Sequence, residues 1–269
     1  GVTAARQALV DDVLNARFQD PHAVLVRARA LGLDLDGLRV VVLVAVDDFE
    51  RFYLQHEREG EAYFQRLRGT VSLLLRQEAQ RVSAHGAVVP LGDAAVALLP
   101  GLDAARTVAT EVAARARREL RLVPVVVGVG GEKTAWTQLS ASYREAVLAL
   151  RLRRRLRLRT RHVAFADVTG AALLELLEHT PEVRGLLSGA IAPLVAADRA
   201  HRSRLVETLA AWFDAGTSLK QAASALGVHP KTLRYRMDRI GDLLGQDAFE
   251  GDRRLLYYVA ARLHLWTQG

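Results

Sequence analysis

The 269-residue chain reads as an α+β protein: an α/β sandwich with helices over a mostly antiparallel sheet, followed by an all-α segment. Three observations predict this. The β-branched runs "VVVLVAV", Val40 to Val46, and "LVPVVVGVGG" have the make-up of buried strands. Helix-period stretches between the runs give the order strand, helix, hairpin, helix, strand, helix, strand. From about Arg202 onward no strand pattern appears.

Taken in order, residues 3–30 place Ala8, Leu9, Val13 and Leu14, then Val24, Leu25 and Ala28, at helical spacing. Asp20-Pro21 breaks this run, and Pro21 suits the first turn of a second helix. After "LGLDLDG" comes the first strand. A helix from Glu61 to Gln80 carries Phe64, Leu67, Val71, Leu74 and Leu75 on one side. In "AVVPLGDAAVALLP" two apolar runs flank Gly92-Asp93, a hairpin signal. An Ala- and Arg-rich helix spans Leu102 to Leu120, a strand ends in "GVGG", a helix covers Thr137 to Leu152, and "HVAFADV" supplies a last strand. These patterns set a helical lead-in at 1–36, a sheet domain at 37–166, a helical connector at 167–200 and a helical domain at 201–269.

Composition narrows the function classes. Half the residues are hydrophobic, enough for a real core. There are no cysteines, which removes disulfides, thiolate catalysis and cysteine-held zinc. No basic start with an apolar run marks a signal peptide, and no run is long enough to span a bilayer. We therefore expect a cytoplasmic protein with no membrane partner. The chain opens on Gly rather than Met, which suggests a fragment. A net charge of +7 favours anionic partners, although an arginine-preferring genome would produce the same excess.

The most informative stretch is "SLKQAASALGVHPKTLRYRMDRIG", Ser218 to Gly241. Ser218 with Gln221 forms a capping box. Leu219, Ala222, Ala223 and Leu226 follow at helical spacing, Gly227 gives the tight turn, Val228 plugs the angle between helices, and Pro230 starts the second helix. On a helical wheel Leu233, Met237, Ile240 and Leu244 face inward. Lys231 and Tyr235 lie nearly opposite, Thr232, Arg234 and Arg239 sit on the flanks, and Arg236 lies near the buried edge, placed to run toward a phosphate. The candidate DNA-contacting residues are His229, Lys231, Thr232, Arg234, Tyr235, Arg236 and Arg239, with Lys220 on the first helix. Arg and Lys donate to guanine, Thr meets a thymine methyl, and Tyr reaches a phosphate. The plainer alternative is a surface hairpin with solvated charges, or a helical module that only pairs with another protein.

"LVETLAAWFDAGTSLKQAASALGVHPKTLRYRMDRIGDLLG" resembles the C-terminal helix-turn-helix domain of PucR/CdaR-type transcriptional regulators, with "HPKTLRYRMDRI" as its specific core and a register similar to Fis-type domains. The resemblance implies a transcription factor that binds double-stranded DNA as a homo-oligomer, dimer or higher, with a sensor domain before Gly1 and an effector this chain does not name. The closing helix "RRLLYYVAARLHLW" should set Leu255, Leu256, Val259, Ala260 and Leu263 on one core-facing side.

Read beside that family, the middle of the chain resembles a degenerate GGDEF-like module. An active GGDEF cyclase needs carboxylates for divalent metals and glycines for close backbone approach to nucleotide. Here Leu91 stands at the first motif glycine, Ala94 at the motif glutamate, Ala95 at its phenylalanine, and Ala45 at the first strand aspartate, while Gly92-Asp93 and Asp47 remain. The resemblance therefore implies no cyclase activity, no cofactor and no metal. The competing reading is a nucleotide-binding or nucleotide-processing enzyme of this type with an altered site, in which Asp47 and Asp48 hold a metal. Paired acids at a strand end more commonly form turns or caps. "RLRRRLRLRTR", Arg151 to Arg161, reads either as a phosphate contact or as a solvated helix end. "GVGG" lacks the Lys-Ser/Thr ending of a phosphate loop and equally fits a strand-to-helix turn. No tight histidine spacing marks a metal site.

Overall fold

The computed structural model describes residues 1–84 and 86–268. It folds into two compact units, Gly1–Thr169 and Gly170–Gly269.

The first unit runs α1 (Val2–Leu14), α2 (Pro21–Ala30), β1 (Val40–Val46), α3 (Phe49–His56), α4 (Glu61–Val82), β2 (Ala87–Leu91), β3 (Ala94–Leu99), α5 (Leu102–Glu119), β4 (Val125–Val129), α6 (Leu139–Arg155) and β5 (His162–Ala164). The sheet order is β2-β3-β1-β4-β5. Every pairing is antiparallel except β4 with β5. Central strand β1 explains its own composition. Val40, Val42, Val44 and Val46 enter the core on the α4–α5 face, while Val41 and Leu43 enter the core on the α1–α6 face. A strand buried on both sides has no polar alternation to show.

The lead-in helices belong to this unit. Leu9, Val10, Val13 and Leu14 of α1 share a core with Val41, Leu43 and Trp136. Ala8, expected on that apolar side, is exposed. Asp20 caps α2 by accepting from the His22 N–H at 2.9 Å. Helix α3 was not visible in the pattern, since Phe52 alone among its eight residues is buried. The last strand is shorter than "HVAFADV": it stops at Ala164 and passes into a 3-10 turn, Phe165–Asp167.

The second unit contains α7 (Thr169–Glu178, whose first residue closes the other unit), α8 (Pro181–His201), α9 (Leu205–Asp214), α10 (Leu219–Leu226), α11 (Pro230–Leu244) and α12 (Gly251–Gln268). Leu187, Ile191 and Leu194 of α8 pack with Leu205, Leu209, Ile240 and Leu263. The expected connector thus contributes to the core of the C-terminal unit. On α12, Ala260 and Leu263 are buried and Leu256 and Val259 are partly so, but Leu255 is 66% exposed. It lies at the margin of the apolar arc, beyond the reach of the core. Among the described residues no helix is long and apolar enough to cross a membrane.

Candidate nucleic-acid interface

The turn between α10 and α11 is built from local chemistry. Ser218 Oγ accepts from the Gln221 N–H at 3.3 Å, which gives half of the capping box. The other half is replaced: the Ser218 N–H donates to the Ala215 carbonyl at 3.1 Å, so nothing is left for the Gln221 side chain to satisfy there. Gly227 closes α10 at φ +62°, a left-handed conformation that costs glycine little. The Val228 N–H returns to the Ala223 carbonyl at 3.0 Å and holds the bend. Ala222, Ala223 and Leu233 are buried together, with Val228, Leu226 and Trp212 packed against them. Small residues on α10 let α11 come close, as the sequence register required.

His229 is the N-cap of α11. It is extended (φ −68°, ψ 142°), and its Nδ1 accepts from the Lys231 N–H at 3.2 Å. That bond leaves the ring proton for Nε2, on the far side of the ring. Pro230 follows in the first turn, where its missing N–H costs no hydrogen bond. Leu233 and Ile240 are fully buried and Met237 partly so. The opposite side is open: His229, Lys231, Thr232, Arg234 and Arg239 are exposed, and Tyr235 is 71% exposed. Lys220 is exposed near the start of α10. Among the described residues the side chains of Lys231 and Arg234 have no partner.

Arg236 differs from its neighbours. It is half-buried, and its guanidinium donates to Thr208 Oγ1 on α9 at 3.3 Å. Thr208 is itself buried and donates to the Arg204 carbonyl at 2.7 Å. Arg236 therefore ties α11 to α9, a role that the wheel hinted at only by setting it near the buried edge.

In the sheet unit the cyclase-like positions are filled by protein. Asp47, the retained strand aspartate, accepts from Arg153 at 2.8 Å and from two nitrogens of Arg154 at 2.9 and 3.2 Å. Arg153 is only 11% exposed there. Asp48 takes φ +50° and starts α3. Leu91 and Ala94 face each other across the two-residue turn, and Asp93 accepts from Arg68 at 2.7 Å. Part of the basic run on α6 is thus engaged by an acid of the same unit, with Arg153 largely buried and Arg154 still 57% exposed. Two of its arginines neutralise the acid that a metal would need. Among the described residues no group of acids and histidines is arranged to hold a metal ion.

"GVGG" also has a packing role. A Cβ on Gly128 would sit 2.5 Å from the Ala146 carbonyl oxygen, and one on Gly130 2.0 Å from that of Ser142. Glycine lets α6 lie directly on β4. Gly130 N–H donates to Val41 at 2.9 Å and Gly131 N–H to Glu145 at 2.8 Å, so neither is available to a phosphate. Ser142, fully buried, accepts from the Val41 N–H at 3.0 Å and completes the junction.

Comparison with known proteins agrees with this architecture. The family model of the PucR C-terminal helix-turn-helix domain matches residues 205–263, and that of the GGDEF-like domain matches residues 15–152. The chain belongs to the family of PucR/CdaR-type transcriptional regulators, with a GGDEF-like domain ahead of its helix-turn-helix domain. It is 28% identical over 265 residues to the carbohydrate diacid regulator of Escherichia coli (strain K12), covering 96% of this chain and 65% of that protein. It is 26% identical over 148 residues to the DNA-binding transcriptional activator AdeR of Bacillus subtilis (strain 168), covering 55% of this chain and 35% of that protein. The chain thus spans less than two thirds of the length of either relative. The crystal structure of a regulator of polyketide synthase expression from Bifidobacterium adolescentis covers 99% of this chain and 100% of its own, at a TM-score of 0.41 and 18% identity.

Proposed function

We propose that this chain is a sequence-specific transcriptional regulator in which α11 enters the major groove of double-stranded DNA. One observation carries the reading. The N-terminal half of α11 exposes His229, Lys231, Thr232, Arg234 and Tyr235 opposite a buried Leu233–Ile240 seam. Lys231, Thr232 and Arg234 are suited to base edges, while Tyr235, Arg239, Lys220 and the Nε2–H of His229 are suited to phosphates. The lysine and arginine contacts would release counterions and make binding salt-dependent. Arg236 contributes by fixing the helix rather than by touching DNA. The DNA-binding activity attributed to AdeR supports the same reading.

The GGDEF-like unit is proposed to be non-catalytic and to serve assembly or signal relay in a cytoplasmic homo-oligomer. Its retained aspartate is engaged by Arg153 and Arg154, and its other cyclase positions hold Leu91, Ala94 and Ala45.

Selection of bound fragments from random DNA at physiological salt tests the proposal. An enriched inverted repeat is expected, since a two-fold oligomer presents two reading helices to two half-sites. Recovery of no preferred sequence would remove the assignment. Incubation with GTP and Mg²⁺ tests the sheet unit: turnover that disappears in Asp47→Ala would overturn the non-catalytic reading.

A further inference from the structure

Helix α8 has two faces. One buries Leu187, Ile191 and Leu194 in the C-terminal core. The other is exposed, and between Arg184 and Asp198 the helix carries no charged residue at all. Along this outer face Glu182, Gly185, Gly189, Ala192, Ala196 and Arg199 recur at alternating steps of three and four, all exposed. That spacing is the seam of a two-helix coil. Leu186, 63% exposed, and Pro193 flank it on one side.

Among the described residues of the C-terminal unit nothing accounts for this face. A Cβ built on Gly185 or Gly189 meets no atom within 4 Å, so neither glycine makes room for a neighbour. Neither takes a positive φ. Glycines inside a helix, and a proline among them, weaken it. A partner helix that must come close supplies the missing reason, because small residues allow an approach tighter than the usual roughly 8–10 Å between axes.

We infer that this face of α8 pairs antiparallel with the same face of a second copy of this chain. The inference rests on the homo-oligomer part of the function proposed above. The charge layout selects both partner and direction. With the midpoint between Ala190 and Ile191, Gly189 of one copy meets Ala192 of the other and Gly185 meets Ala196. Glu182 then meets Arg199, twice over, once at each end. A parallel pair would instead oppose Glu182 to Glu182 and Arg199 to Arg199. In a two-fold contact residue i must suit j, and j must suit i. The seam meets that condition along its whole length, which an unrelated partner would not require.

The test uses the full chain without DNA. Sedimentation over a concentration series should show a monomer–dimer equilibrium. Ala192→Glu, an exposed substitution whose cost in helix propensity is small, should weaken the dimer more than about a hundredfold by setting carboxylates inside the seam. Glu182→Arg and Arg199→Glu should each weaken it about tenfold, and the double swap should restore it. The absence of native cysteines gives a clean cross-linking background. Ala192→Cys should link to itself through a short bismaleimide. Glu182→Cys should not, its two copies being about 25 Å apart along the pair. A wild type that stays monomeric at every concentration overturns the inference, as does a dimer unmoved by Ala192→Glu or linked through position 182. Binding of a single DNA half-site, measured separately on the same variants, isolates the DNA reading. Its loss in Lys231→Ala with the dimer intact, or its survival in Ala192→Glu, shows that the two proposals fail independently.

Discussion

The two arginines on either side of Tyr235, Arg234 and Arg236, are expected to fail in different ways. Arg234 is exposed and has no side-chain partner among the described residues. Replacing it with Ala removes no contact of the folded chain, so stability should move by less than about 0.5 kcal/mol. If Arg234 reaches a base edge, DNA affinity should drop by about 1–3 kcal/mol, roughly 5- to 150-fold, with preference relaxed at one position. If it meets only a phosphate, affinity should fall evenly across sequences and the salt slope should shrink by about 0.9. Arg236→Ala should show the converse. Its hydrogen bond to Thr208 is long at 3.3 Å and half-buried, and Thr208 keeps its bond to the Arg204 carbonyl when the guanidinium is gone. The cost should therefore sit near the low end for a charged donor, about 1–1.5 kcal/mol. For a unit the size of Gly170–Gly269 that is a fall of roughly 4–10 °C in the melting transition. Circular dichroism melts and anisotropy titrations at two salt concentrations, on a fragment taken from the selection, read both quantities. If Arg234→Ala and Lys231→Ala both bind as the wild type does, or Arg234→Ala melts as Arg236→Ala should, α11 is not the reading helix.

The remaining expectations concern the sheet unit. Gly128→Ala and Gly130→Ala should each destabilise it by about 3 kcal/mol or more, because the added methyl meets helix backbone that cannot swing aside, whereas Gly69→Ala, with nothing within 4 Å on the exposed side of α4, should stabilise by about 0.5–1 kcal/mol in denaturant titrations. The Arg106 guanidinium, bonded to both Asp167 oxygens at 2.7 and 3.1 Å, holds the Asp167 carboxyl below the usual carboxylate range. A depressed acid contributes stability above its unfolded value, near 3.8, and loses it as pH falls through the folded value. Asp167→Asn should accordingly be less stable at neutral pH by under about 1 kcal/mol, since the pair is half-exposed, and indistinguishable from wild type in strong acid. Asp47→Ala should leave Arg153 a partly buried cation without its carboxylate and cost about 2–4 kcal/mol, checked by the same titration, with no change in DNA affinity at temperatures where the unit stays folded.

What the sequence made legible was local. The α10–α11 unit is specified largely within the 24 residues of "SLKQAASALGVHPKTLRYRMDRIG", and its cap, turn glycine, starting proline and apolar register are short-range signals that agree. Strand β1 announced itself because burial on both faces demands an unbroken apolar run. The site in the sheet unit was less legible. Ala45, Leu91 and Ala94 showed that carboxylates were missing, but no spacing rule relates Asp47 to Arg153, 106 residues later. Their meeting depends on α6 being drawn onto β4 by Gly128 and Gly130, a tertiary fact. The return bond expected of Gln221 failed because the Ser218 N–H was already taken by Ala215. Leu255 was misassigned because a wheel gives an angle but not how far the core extends.

The same contrast explains how one excess of arginine serves different ends. A guanidinium near a carboxylate is held by it, and what remains of its charge at a distance is small. Arg153 and Arg154 are held by Asp47, Arg68 by Asp93 and Glu61, and Arg115 by the buried Glu78. These pairs tie elements of the sheet unit together, and the one at Asp47 occupies the retained strand acid. A hard cation there would have to displace two guanidinia while facing their repulsion, which is a stronger bar to cyclase-type chemistry than the loss of ligands alone. Among the described residues Lys231 and Arg234 have no acid to hold them, so their charge stays available to an anionic partner. The net charge of +7 therefore says little by itself; the proposed DNA contact rests instead on where Lys231 and Arg234 stand, on the open side of one short helix.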